Sequence, residues 1–263
     1  MSFSNQLKSP LLPPPHWWQG NQQGLRRLQA LSGSFQSIVQ TIVVGLGGIE
    51  MDRLLILGAG GFGREVLAWA TDVAKECKAW EIGGFLVERR FITEDHVDGL
   101  PILGDPFEFA LSERDCFVCA IGDPKTRMRI VEGMKRMGAR FPNLIHPSAL
   151  IGPKCRIGEG CILCPGVVVT TNVILGDFVI LNVHSSVGHD AVLGDFCTLS
   201  GHCDITGGAV LGKRVFMGTH ATVLPKARVG DDAVVGAGSV ALRAVRSGTA
   251  VMGVPAKMIA GFD

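Results

Sequence analysis

Neither sign of charge dominates this chain: its 263 residues carry 25 Lys and Arg against 24 Asp and Glu, a formal net charge of +1. Scattered charges of balanced sign leave no electrostatic footprint for nucleic acid or for an anionic membrane surface. No uninterrupted apolar run approaches the roughly 18 residues of a membrane-spanning helix. The apolar segment over residues 38–49 is shorter than that. A cleavable leader is poorly matched too, because the charge and cleavage-site pattern is not met. These absences predict a cytoplasmic protein with small-molecule partners, and no nucleic acid or membrane among them.

A disulfide or zinc framework is also missing, although there are eight cysteines. Cys116 and Cys119 form C-x-x-C, as do Cys161 and Cys164, a spacing that metal sites use. The first pair lies in the strand-like run over residues 116–121, where an odd separation turns the two side chains to opposite faces. Cys155, Cys161, Cys197 and Cys203 occupy one fixed position of a repeat, where Cys serves as a small hydrophobe. No metal is expected, and a reduced compartment suits the thiols.

What the chain has in abundance is periodicity. From residue 151 to residue 240 a six-residue pattern recurs fifteen times without an insertion. Its first position runs Ile151, Ile157, Leu163, Val169 and onward to Val235, always aliphatic or Met; four residues later stands a small or slender residue, from Cys155 to Ser239. A helical period of 3.6 would walk this stripe around its axis within two hexads. An even period keeps the residues on one side of short strands, and one bend per hexad winds the chain about an axis. Three hexads close a triangular coil of 18 residues, so fifteen make about five coils, a prism roughly 24 Å tall at about 4.8 Å per coil. Gly158, Gly176, Gly194, Gly212 and Gly230 form a column with spacing 18. That column is expected at corners whose backbone conformation is costly for other residues.

The preceding stretch alternates differently. Leu54-Leu-Ile-Leu57 reads as a buried strand, Gly58-Ala-Gly-Gly-Phe-Gly63 as a turn, and Arg64 onward as a helix. Strands follow at residues 80–87 and 116–121, and Gly122-Asp-Pro-Lys-Thr-Arg127 opens a helix over 128–137. This is a small parallel α/β unit. G-x-G-x-x-G between strand and helix lets the backbone approach a phosphate, which the helix amino terminus attracts. There is room for only half of a dinucleotide fold. The expected organisation is an extension over 1–50, mobile or upstream of a natural start at Met51. A half-Rossmann nucleotide-sugar unit (51–143), a β-helix (144–243) and a carboxy-terminal cap and coenzyme A-side tail (244–263) follow.

Of the seven histidines, His189 has the chemistry of a base near neutral pH. It lies two residues after Val187, hence on the outside, and is followed by Asp190. His184, His202 and His220 are 18 apart and should stack in one column. Three imidazolium ions there would repel one another. Stacked structural rings, the lining of an acyl-donor channel, and a metal site all fit that column.

G-A-G-G-F-G-R-E-V from Gly58, I-H-P-S-A from Ile145, and the hexapeptide array resemble the bacterial sugar acyltransferases of the sialic-acid and bacillosamine pathways, the NeuD and PglD type. The resemblance covers residues 52–262. It implies a left-handed parallel β-helix behind a half-Rossmann unit, a homotrimer, and a place in polysaccharide biosynthesis. Acetyl-CoA would be the co-substrate and a nucleotide-linked amino sugar the acceptor of an N- or O-acetyl group. His189 would be the general base and Asp190 its orienting partner. Gly58, Gly60, Gly61 and Gly63, with Gly122 and Arg127, would adjoin the nucleotide sugar. Gly253-Val-Pro-Ala-Lys257 resembles the tail beside coenzyme A, which puts Val254, Pro255 and Lys257 there. Gly218 and Gly236 would let the pantetheine arm lie close, and Thr198 stands where some members carry a second His. Two other readings are a γ-class carbonic-anhydrase-like zinc hydratase, suggested by His184 and His189 five residues apart, and a noncatalytic trimeric scaffold.

Overall fold

The computed structural model describes residues 52–78 and 80–261; the expected extension over residues 1–50 lies outside the described residues. The chain enters through β1 (Asp52–Leu57), α1 (Gly61–Cys77) and β2 (Trp80–Leu86). A small hairpin of β3 (His96–Val97) and β4 (Leu100–Pro101) precedes β5 (Asp115–Cys119) and α2 (Pro124–Arg136). The main sheet is parallel, in the order β2-β1-β5.

Leu54 to Leu57 are all at most 1 % exposed, because helices cover both faces of this sheet. Leu54, Ile56, Cys116 and Val118 pack with Val66, Ala70 and Val73 of α1. Leu55, Leu57, Phe117 and Cys119 pack with Ile130, Val131 and Met134 of α2. Cys116 and Cys119 therefore face opposite sides, as their odd spacing predicts. Helix α2 begins with Pro124 behind the Asp123 cap, whose carboxylate accepts from Thr126 N at 2.7 Å. The first β–α turn needs two glycines for different reasons. Gly58 has φ +98°, and a Cβ on Gly63 would sit 2.1 Å from Gly58 O.

The hexads form a triangular prism whose three walls are each built of parallel strands. One wall stacks rungs from Leu150–Ile151 to Val240–Ala241, the second from Arg156–Ile157 to Arg228–Val229, and the third from Leu144–Ile145 through Val234–Val235. The solenoid has about six turns, one more than the fifteen hexads predict. Ile145 with Ala149 is an earlier hexad in phase, hidden in sequence by the intervening His146-Pro147; Ala241 with Val245 is a later one, hidden because a methyl replaces the aliphatic side chain. The third wall ends with Thr249–Met252 in parallel and Lys257–Gly261 returning antiparallel.

The glycine column also has a different cause from the one expected. Gly158, Gly176, Gly194, Gly212 and Gly230 do not take left-handed φ; the next coil's backbone crowds them, a Cβ on Gly194 lying 2.7 Å from Gly212 O. The left-handed residue stands three after each first position, from Lys154 (φ 62°) to Gly238 (φ 64°), and most of these are not glycine. Its amide donates to the coil before, as in His184 N to Pro165 O at 3.0 Å. Such bonds hold a conformation that non-glycine residues otherwise avoid.

Those left-handed residues define three corners with different equipment. The first carries Lys154, Asn172, Asp190, Gly208 and Lys226; the second Gly160, Phe178, Phe196, Arg214 and Asp232; the third Gly166, His184, His202, His220 and Gly238. The α/β unit docks on the second, where Phe178 stacks on Phe196 at 5.2 Å and meets Phe141 edge-on. Among the described residues, no helix is long and apolar enough to cross a membrane.

Candidate active site

His189 stands immediately before the first corner. Its Nδ1 lies 2.8 Å from Asp190 Oδ2, and the two side chains are 66 % and 56 % exposed. Asp190 Oδ1 accepts from Asn172 Nδ2 at 2.6 Å. The Asn172 bond, followed by that to His189, holds the Asp190 carboxyl below the usual carboxylate range. An ionised Asp190 accepts a hydrogen bond from His189 Nδ1–H, the tautomer that leaves the lone pair on Nε2. Nε2 has no hydrogen-bond partner among the described residues and lies over Gly207, where a Cβ would come within 2.4 Å of it. Asn172 and Gly207 are functional neighbours that motif reading misses. Their signal is the coil length: Asn172 is 18 before Asp190, and Gly207 is 18 after His189.

A second feature opens at the carboxyl ends of β1 and β2. A cleft of about 590 Å³ is lined by Gly58, Ala59, Gly60 and Arg64, by residues 86–88 and His96, and by Ile121, Thr126 and Ile130. The amino terminus of α1 has no side-chain cap, so its dipole and first-turn amides remain available to an anion. Of the glycines expected beside a nucleotide sugar, Gly58 and Gly60 line the cleft and Gly61 borders it with open space around its Cα; Gly63 is consumed by packing against Gly58. Arg64, Glu88 and His96 are lining residues that the glycine motif does not reveal.

Arg127, expected at the substrate, is a correction. Its side chain is buried, and every nitrogen is taken by backbone carbonyls. Nε donates to Phe178 O at 3.2 Å, Nη1 to Ile121 O at 2.7 Å and Gly122 O at 3.1 Å, and Nη2 to Phe196 O at 2.6 Å and Cys197 O at 3.2 Å. No donor remains for a ligand. Gly122 is drawn into the same contact and does not line the cleft.

Thr198, expected at the coenzyme, is likewise turned inward: it is 5 % exposed and its Oγ1 donates to Gly122 O at 2.8 Å. The docked α/β unit covers it. Gly218 and Gly236 have packing reasons of their own, since a Cβ would meet Ala237 N at 2.6 Å and Met252 Cε at 2.9 Å. Val254 is 71 % exposed in the turn that includes Pro255, and Lys257 begins the exposed return strand.

The histidine column is real. His184 and His202 rings lie 5.2 Å apart, His202 and His220 4.8 Å, each pair stacked. His184 and His189 belong to different corners of one coil and do not converge. Among the described residues, no group of three His, Cys, Asp or Glu side chains is placed to hold a metal ion. Burial pushes the Cys116, Cys119, Cys161 and Cys197 thiols up to about 12, so they pack as neutral thiols.

Comparison with known proteins agrees with this layout. A family model described as PglD N-terminal domain matches residues 53–134. Among solved structures, the acetyltransferase domain of PglB from Neisseria gonorrhoeae is 30 % identical over 79 % of this chain and 99 % of that one, with a TM-score of 0.72. A point mutant of perosamine N-acetyltransferase from Caulobacter crescentus, in complex with CoA and GDP-perosamine, is 30 % identical over 81 % of this chain and all of the other, with a TM-score of 0.71. WeeI from Acinetobacter baumannii is 26 % identical over 80 % and 100 %, with a TM-score of 0.72. Comparison with curated proteins gave no match.

Proposed function

The chain belongs to the left-handed β-helix sugar acetyltransferases of the PglD and NeuD type, and from that premise we propose that it acetylates the amine of a nucleotide-linked sugar from acetyl-CoA, with His189 as general base. The observation that carries the assignment is the pair at the first corner. Asp190 fixes Nδ1–H of His189 at 2.8 Å and leaves Nε2 exposed to a substrate. As the amine nitrogen attacks the thioester carbon, Nε2 takes the nitrogen's proton, and the carbonyl electrons move onto oxygen. Collapse of the tetrahedral intermediate expels the coenzyme A sulfur, which takes that proton back from His189. The products are the amide and the free thiol.

CoA and GDP-perosamine occupy the Caulobacter relative, which supports acetyl-CoA and a nucleotide sugar as the two substrates. The cleft beside Gly58 and Gly60 suits the nucleotide diphosphate, because it combines an uncapped helix terminus with Arg64. In one chain the α/β unit sits on the second corner and His189 beside the first, and no prism residue lines the cleft. Assembly as a homotrimer brings the cleft of one copy to the His189 of the next, with acetyl-CoA between neighbouring prisms near Val254 and Lys257.

The test is release of free thiol from acetyl-CoA with a panel of nucleotide-linked amino sugars. His189→Ala should lower turnover by roughly 10²- to 10⁴-fold with the oligomer intact; unchanged turnover sinks the assignment. Mixing His189→Ala with a cleft-blocked variant should restore part of the activity if adjacent copies share a site.

A further inference from the structure

Among the described residues, the buried guanidinium of Arg127 has no carboxylate partner. Desolvation pushes its pKa down to about 10, so the charge is held at a cost that five carbonyl acceptors offset. Burying an ion is expensive, and an apolar filler is often as stable. What an apolar filler lacks is direction. Charge-assisted bonds from a planar fork fix the positions of the groups they join.

The five carbonyls come from two bodies. Ile121 and Gly122 belong to the loop after β5, while Phe178, Phe196 and Cys197 belong to two successive coils of the prism. Thr198 Oγ1 adds a second tie from the prism to the same Gly122 carbonyl. The loop so held forms part of the cleft wall through Ile121, and α2 presents Thr126 and Ile130 to the cleft on either side of Arg127 in sequence.

We propose that Arg127, seconded by Thr198, is a positioning residue that sets the nucleotide-sugar cleft in register with its own prism, and through the assembly with the His189 of the next copy. The proposal rests on the acetyltransferase reading for its kinetic consequence, but not for its structural one. A loosened clamp frees the 121–122 loop without touching the His189–Asp190 pair. Acceptor binding then weakens, while acetyl-CoA binding stays as it was.

The experiment uses the full chain with Arg127→Lys and Thr198→Val. Steady-state kinetics are measured with a nucleotide-linked amino sugar that the unaltered protein turns over, and hydrogen exchange is followed across residues 120–124. The expected result for Arg127→Lys is a rise in acceptor KM of about tenfold or more, the size of one lost charge-assisted bond. The acetyl-CoA KM stays within about twofold, and exchange accelerates in the 120–124 loop while the prism stays protected. Thr198→Val should move both readouts in the same direction by less, and it decides the matter if Arg127→Lys does not fold. Unchanged loop exchange, or equal changes in both KM values, overturns the proposal. If no nucleotide sugar is turned over at all, the acetyltransferase reading fails, and loop exchange alone still decides whether the clamp exists.

Discussion

Asn172 and Asp190 stand one coil apart at the same corner, and the Asn172 amide holds Asp190 Oδ1 at 2.6 Å while His189 engages Oδ2. The Asp190 pKa is depressed, so its favourable contribution is present above the ordinary carboxylate range and is lost as pH falls through the lowered folded value. In the intact protein, Asp190 therefore stays ionised through the mildly acidic range. Asn172→Ala removes the largest cause of the depression. Its Asp190 should protonate at higher pH in a carboxyl NMR titration. An unmoved Asp190 titration would show that Asn172 is a bystander.

Gly207 gives the His189 ring its seat. A Cβ there meets Nε2 at 2.4 Å, and the exposed ring yields more readily than the backbone does. Gly207→Ala should keep its melting temperature and lose up to about 10²-fold in turnover, the scale of a misplacement of about 1 Å. Wild-type turnover in a folded Gly207→Ala protein would separate His189 from the chemistry.

Gly61 and Gly194 make a contrasting pair. A Cβ on Gly61 meets nothing within 4 Å, whereas one on Gly194 lies 2.7 Å from the backbone of Gly212. Gly194→Ala should cost about 1–3 kcal/mol in chemical denaturation, the range for overpacking. Gly61→Ala should cost little stability yet raise the acceptor KM, since its methyl projects beside the cleft. Equal stability losses in the two variants would contradict the packing described.

Cys155 is half-exposed, while Cys116, Cys119, Cys161, Cys164, Cys197 and Cys203 are buried. Burial pushes Cys203 up to about 11 and Cys164 well above its ordinary value. Alkylation of the folded protein near pH 8, read by peptide mass spectrometry, should label Cys155 before these six. Rapid labelling of Cys161 or Cys197 would mean that the prism wall opens.

The prism was legible because its energetic rule is local and repeated: each hexad shows its interior aliphatic and its small residue directly in sequence. Its ends were harder to see, since Ile145 is followed by the turn His146-Pro147 and Ala241 offers only a methyl. The left-handed corners were invisible. Phe178, His184 and Arg214 occupy φ values that composition assigns to glycine, and it is the amide bonds to the preceding coil that hold them there. His189 and Asp190 could be read as adjacent letters. Asn172 and Gly207 needed the coil length of 18, and Arg127 could not be placed because its partners are carbonyls, which leave no trace in side-chain identity.

Parallel rungs stacked along an axis form a ladder that could in principle add steps without limit, each exposed edge templating the next. The strand Lys257–Gly261 lies against Thr249–Met252 with reversed polarity. A further rung running in the prism's direction would have to pair antiparallel to Lys257–Gly261, unlike every rung before it. The regular ladder on that wall thus ends at a single five-residue segment, whose edge no longer repeats the parallel register by which each coil aligns the next.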